Sequence, residues 1–140
     1  KDWRKNGANM TLLSFNAKRP RNIDKSYIDW MKKTKYYIEL DKCILVHAGL
    51  NFSISNPFED KRSMMWIRDF KVDKNKIAGK KVIHGHVSVE MTMIELFKSN
   101  NYDFLPLDNG VYYENKNGFG NLLAYNIDTN EIIIQPNIDF

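Results

Sequence analysis

The spacing of apolar and polar positions changes character about a quarter of the way along the chain. The first stretch has helical spacing. Asn9 precedes the run MTLLSF and is read as the N-cap of a short helix ending before Pro20. A second helix is expected over 24–33, capped by Asp24, with Tyr27, Ile28 and Met31 on one side. From residue 36 the pattern becomes that of strands. Segments 36–40 and 42–47 flank Asp41 as a hairpin or bend, and the second is almost wholly apolar, as a strand buried on both faces would be. Residues 51–62 read as loop and 64–68 as a short helical or irregular piece. A third buried strand starts at Lys81 and ends in His84-Gly85-His86. A helix is expected over 92–98, then strands over 104–107, 111–113, 122–127 and 131–135, the last two joined by a turn at 128–130.

Composition narrows the class. The 140 residues suit one domain, and 43% hydrophobic with 27% charged content excludes a disordered chain. The net charge of +4 is modest and its lysines and arginines are scattered, which favours anionic substrates without marking a nucleic-acid site. Cys43 is the single cysteine, so no internal disulfide exists, and it is expected to be a buried, inert thiol in a reducing compartment. With no signal-type segment and no membrane-length apolar run, a cytoplasmic location without membrane partners is expected.

The candidate chemistry gathers where strands end. All three histidines, His47, His84 and His86, lie at the tips of two buried strands, followed or separated by small residues. Neutral imidazole is a good ligand for manganese, iron or zinc, and Gly85 has no Cβ to hold the backbone away from a metal. A single strand-end histidine is more often a hydrogen-bonded core residue than a ligand, so the pattern alone does not establish a metal site. The carboxylates Asp41, Glu59, Asp60, Asp69, Glu90 and Asp108 have no Asp-x-His or Asp-x-x-Asp spacing. Asp108-Asn109-Gly110 reads as a turn. A two-metal hydrolase needs carboxylates as well as imidazoles, so further ligands would come from elsewhere.

Taken in order, the motifs resemble the second half of calcineurin-like phosphoesterases, in the bacterial serine/threonine protein phosphatase branch. WRKNGANMTLLSF (3–15) is similar to that family's Trp…Asn-Gly-Gly…Thr…Ser-Tyr segment. VHAGL (46–50), MWIRDF (65–70), VIHGHVS (82–88) and LDNGVY (107–112) resemble its Val-His-Ala-Gly, Leu-Trp-Ile-Arg, Val-His-Gly-His-Thr-Pro and Ile-Asp-Thr-Gly-Cys-Val-Tyr segments. GNLLAYNIDT (120–129) and QPN (135–137) resemble its closing hairpin and tail. The resemblance spans nearly the whole chain. Val87-Ser88 stands in place of Thr-Pro, and Ala8 in place of the second glycine of the opening segment.

The resemblance implies an α/β fold, the C-terminal part of a calcineurin-like metallophosphoesterase sandwich of two mixed β-sheets flanked by helices. Residues 1–140 would form a single domain lacking the Asp-x-His, Gly-Asp-x-x-Asp and Gly-Asn-His-Glu motifs. It implies that His47 and His86 bind a metal and that Arg68 grips the substrate phosphate, its alternative being an ion pair with Asp69 or a neighbour. His84, Gly85, Gly49 and Asp108 would support the site, with Trp66 and Tyr112 in the core or at the rim. The parent enzyme would use two divalent metal ions, manganese first, with iron or zinc as alternatives. It would hydrolyse phosphate monoesters, chiefly phosphoserine and phosphothreonine in proteins. The 140 residues alone are expected to hold half a site, to lack useful catalysis and to self-associate through uncovered apolar surface. The alternatives are a symmetrical dinucleoside-tetraphosphatase and a noncatalytic binding domain.

Overall fold

The computed structural model describes residues 2–139. The chain divides into two compact units, Lys1–Lys35 and Tyr36–Phe140. Within the first, Phe15 packs edge-on against Tyr27 at 4.8 Å.

The first unit carries α1 (Asp2–Lys5), α2 (Ala8–Ser14), one 3-10 turn (Pro20–Asn22) and α3 (Lys25–Lys32). Asn9 lies inside α2 and is not its cap. The cap is Gly7, at φ 83°, a left-handed conformation that glycine adopts without the Cβ penalty and that turns the chain sharply out of α1. Asp24 does cap α3, accepting from the Ser26 amide at 2.8 Å. The side of α3 marked by Tyr27 and Met31 stays exposed.

The second unit is built on a four-stranded mixed sheet in the order β1-β2-β3-β4: β1 (Tyr37–Glu39), β2 (Cys43–Val46), β3 (Lys81–His84) and β4 (Phe104–Pro106). β1 and β2 form the expected antiparallel pair, while β2, β3 and β4 run parallel. The crossover from β2 to β3 carries α4 (Lys61–Trp66), and that from β3 to β4 carries α5 (Met91–Ser99). Side chains alternate across the sheet. Ile44, Val46 and Val82 face a core that includes Leu50, Ile77 and Met64 of α4. Cys43, Ile83 and Leu105 face a second core with Ile94 of α5. Each central strand is therefore covered on both sides, which is why β2 has no polar alternation. A large side chain fully withdrawn from water in this way contributes about 1.5–3 kcal/mol. The Cys43 thiol is buried, and burial pushes its pKa up, as expected of an inert cysteine.

A second sheet is formed by β5 (Asn121–Asn126) and β6 (Glu131–Pro136). It is a plain antiparallel hairpin and not a second mixed sheet, because a tight turn between consecutive strands allows only antiparallel pairing. In that turn Asn126 Oδ1 accepts from the Asp128 and Thr129 amides at 3.0 and 3.2 Å. Leu123, Tyr125 and Ile132 pack against the Cys43–Ile83 side of the larger sheet, while Leu122 and Ile133 stay exposed. The strand expected over 111–113 is absent. Gly110 at φ 63° starts a turn closed by Tyr113 N–H donating to the Gly110 carbonyl at 2.9 Å, so turn chemistry overrides the β preference of Val-Tyr-Tyr. No helix among the described residues is long and apolar enough to cross a membrane.

The hairpin is tied to the strand ends through Asn109, whose exposure is 1%. Its Nδ2 donates to the Val89 and Gly118 carbonyls at 2.9 and 2.8 Å. Its Oδ1 accepts from the Asn121 amide and side chain at 3.1 and 2.7 Å. Both donors and the carbonyl of the amide are satisfied without solvent. Asn109→Ala strands several buried partners, each costing about 1–3 kcal/mol, so denaturant unfolding should show a loss of roughly 3 kcal/mol or more. A loss below about 1 kcal/mol would show that water replaces the amide freely.

Candidate functional site

Because β2 and β3 are parallel and in register, Leu45 against Ile83, their C-terminal ends lie side by side. The pairing continues past the strands, with the Gly85 amide donating to the His47 carbonyl at 2.9 Å. The two histidine tips predicted from the sequence therefore meet. His47 Nε2 lies 3.2 Å from His86 Nδ1, with the ring centroids 4.9 Å apart.

His86 reaches this position through its backbone. It sits at φ 71°, an unusual and strained conformation for a residue with a side chain, and one that concentrates at functional sites. Gly85, expected to let the backbone pass close to a metal, does not share that conformation. A Cβ on Gly85 would meet Asp108 Cβ at 3.6 Å and the His47 carbonyl at 3.7 Å, ordinary contacts. Gly49 is the glycine the site needs. A Cβ there would overlap the Phe70 ring and approach Ile67 Cγ2 to 2.9 Å.

Phe70 also separates the third histidine from the other two. His84 stands on the Ile44–Val82 side of the sheet, edge-on to Phe70 at 5.0 Å and near Phe104 at 6.1 Å. Its Nδ1 lies 3.2 Å from the Gly85 carbonyl. Burial holds its pKa below the ordinary histidine range, with the Gly85 carbonyl acting the other way. His84 thus braces the turn from below, apart from the facing pair.

The helix α4 brings in the rest. Asp60 caps it, accepting from the Ser63 amide at 3.0 Å, the Ser63 hydroxyl at 2.7 Å and Asn51 Nδ2 at 2.8 Å. The Ala48 amide donates to the Met64 carbonyl at 2.8 Å, fastening the helix to the His47 turn. Trp66 then lies edge-on to His86 at 5.8 Å, exposed and on the rim. Arg68 is exposed just beyond, and makes no ion pair with Asp69 or any other carboxylate among the described residues. Asp108 turns its carboxylate into its own loop, accepting from the Gly110 amide at 2.8 Å and Ser88 Oγ at 3.3 Å.

The electrostatics keep His86 neutral. Burial lowers its pKa, with smaller contributions from His47 and the Arg68 charge, while Asp108 opposes them. Neutral imidazole is the ligating form. Metal–nitrogen bonds of ~2.0–2.1 Å meeting at ~90–110° place two ligating nitrogens ~2.8–3.4 Å apart, which includes the observed 3.2 Å. The distance equally permits one N–H···N hydrogen bond. In either case His86 Nε2 is buried without a partner among the described residues, an orphan that costs about 1–3 kcal/mol. The pair fits part of a metal site and not a complete one, since no three His, Cys, Asp or Glu side chains gather around a metal position among the described residues. The structure brings together His47 and His86, two of the residues singled out from the sequence, and adds Phe70 and Asn109, which sequence reasoning passed over. An Asn in the Asp108-Asn109-Gly110 turn has no pattern separating a buried amide from an exposed one. No protein-family profile, curated protein or solved structure matches the chain.

The two glycines give opposite expectations. Gly49→Ala should destabilise by about 1–3 kcal/mol through overpacking against Phe70, while Gly85→Ala should cost under about 1 kcal/mol in the same denaturant titration. Equal losses would show that the Phe70 wedge is not rigid. The cap of α4 sets an acid limit. Hydrogen bonds from Asn51, then Ser63, hold Asp60 at about 2 against the ordinary 3.8. A depressed carboxylate contributes stability that is complete above about 3.8 and lost as pH falls through about 2. Melting temperatures from pH 5 to 2 should therefore fall less steeply for Asp60→Asn than for wild type, and parallel curves would remove Asp60 from the acid limb.

Proposed function

We propose that this chain carries the imidazole half of a metal-dependent phosphoesterase site, and that its parent protein hydrolyses phosphate monoesters, chiefly phosphoserine and phosphothreonine in proteins. The observation that carries the reading is the facing of His47 Nε2 and His86 Nδ1 at 3.2 Å, at the ends of adjacent parallel strands. The strained His86 backbone supports it, because a conformation that costs energy is best explained by what it places. The order of motifs along the chain supplies the substrate class.

In this reading His47 and His86 present neutral nitrogen lone pairs to one divalent metal, with manganese the first candidate and iron or zinc the others. A metal so held supplies positive charge to the phosphoryl oxygens and acidifies water at neutral pH. The carboxylate ligands and a second metal position belong to residues of the parent outside this chain. Arg68, exposed beside Trp66 and next to the pair, grips phosphoryl oxygens with paired N–H donors and stabilises charge there without moving a proton. His84 and Phe70 fix the turn on which His86 stands. Trp66 shields one side of the pair from water.

Calorimetric titration with Mn²⁺ tests the reading. Wild type should bind weakly, as a two-imidazole site does, and a His47→Ala/His86→Ala double variant should not bind, while circular dichroism shows both folded. Folded wild type without binding would remove the metal and the reading with it. In a parent protein assayed on phosphopeptide and diadenosine tetraphosphate side by side, Arg68→Ala should lower kcat/KM on the phosphopeptide by about 10²-fold. Preference for the dinucleotide would reassign the substrate.

A further inference from the structure

A cavity of ≈ 320 Å³ lies at the opposite end of the four-stranded sheet from the two histidines. The placement follows from topology. Lys42, Lys81 and Asp103 stand where the parallel strands β2, β3 and β4 begin, whereas His47 and His86 follow the ends of β2 and β3. None of the residues lining the cavity belongs to the histidine site, so its role does not depend on the phosphoesterase reading.

Three lysines line it, Lys42, Lys74 and Lys81, against one carboxylate, Asp103. Asp103 is taken by Lys74 at 2.7 Å. Lys81 Nζ gives one hydrogen bond, to Asn101 Oδ1 at 2.9 Å, leaving two of its three donors for something else. Lys42 is exposed and has no carboxylate partner among the described residues. Burial works against the Lys81 charge, Asp103 opposes that effect and Lys74 adds to it, and one carboxylate among three lysines leaves a net positive charge for an anion to meet. The other wall is apolar. Ile83 and Ile127 line it together with the ring of Tyr125, whose hydroxyl is held by Asn130 Oδ1 at 2.5 Å. The volume lies at the lower end of the roughly 300–1,000 Å³ typical of small-molecule sites, and the lining is more polar than is usual for them, which suits a charged ligand.

We propose that this cavity binds a small organic anion, its phosphate or carboxylate head taken by Lys42, Lys74 and Lys81 and its apolar body laid against Ile83, Tyr125 and Ile127. The lysines select for charge, and an organic body adds affinity by covering the apolar wall.

Amide chemical-shift mapping of the 140-residue chain tests this, with adenosine 5′-monophosphate as the anionic probe and adenosine as its uncharged counterpart. The monophosphate should shift Gly79, Ile127 and Asn130 saturably, and adenosine should bind at least about tenfold more weakly. Lys42→Glu, a reversal at an exposed position that leaves the core untouched, should weaken the monophosphate about tenfold or more. Lys81→Met should act in the same direction. Equal binding of the two probes, shifts confined to the surroundings of Arg68, or unchanged affinity in both folded variants would each overturn the proposal.

Discussion

Two parallel strands in register bring their C-terminal ends to the same level, and the geometry of this chain's second unit follows from that constraint. With Leu45 opposite Ile83, the residues just beyond the strands have no freedom to be far apart. The bond from the Gly85 amide to the His47 carbonyl carries the pairing one step further, and the imidazoles are placed by it. Burial of β2 and β3 on both faces enforces the register. A slip by one residue would exchange Ile44 and Val82 with Cys43 and Ile83 between two differently shaped cores. The position of the two facing imidazoles is thus decided by apolar packing beneath them.

What the strands bring together, the aromatic residues sort. Phe70 lies between Gly49 and His84 and gives the three histidines two different environments. His84 is enclosed by rings and kept neutral by burial. His86 is turned the other way by a left-handed backbone and faces His47. A His-Gly-His sequence on an ordinary extended strand would point both imidazoles to one face, since alternate residues share a side. The strained backbone at His86 breaks that rule and separates a bracing histidine from a facing one.

Strong periodicity and strong caps made much of the fold legible. The apolar runs at β2 and β3, the Asp24 cap and the β5–β6 turn each arise from local chemistry that a sequence displays directly. The errors fall where two local signals compete. At 111–113 a β-favouring triplet follows a glycine able to adopt positive φ, and the turn wins. At Asn9 a good capping residue follows a glycine that turns the chain two residues earlier. In the site, the placing of His47 and His86 at strand tips was readable from the apolar runs that end in them, while their meeting follows from the parallel pairing of β2 with β3, which no local pattern displays. The wedge of Phe70 was not, since a phenylalanine between Asp69 and Lys71 carries no mark of what it will touch in the fold.

Asn109 bears on which alternative arrangements the chain can adopt. Apolar contacts such as those of Leu123 and Tyr125 are tolerant: a hairpin displaced by two residues would still lay apolar side chains on the same face. The amide is not tolerant. Its partners come from two separated segments, at Val89 and at Gly118 to Asn121, and a displaced hairpin would set an apolar side chain where Asn121 belongs, leaving the Asn109 carbonyl dry and unpaired. One polar residue at the seam thereby distinguishes a single alignment from neighbours that hydrophobic burial alone would leave nearly degenerate, and the chain has a unique join between its two sheets because of it.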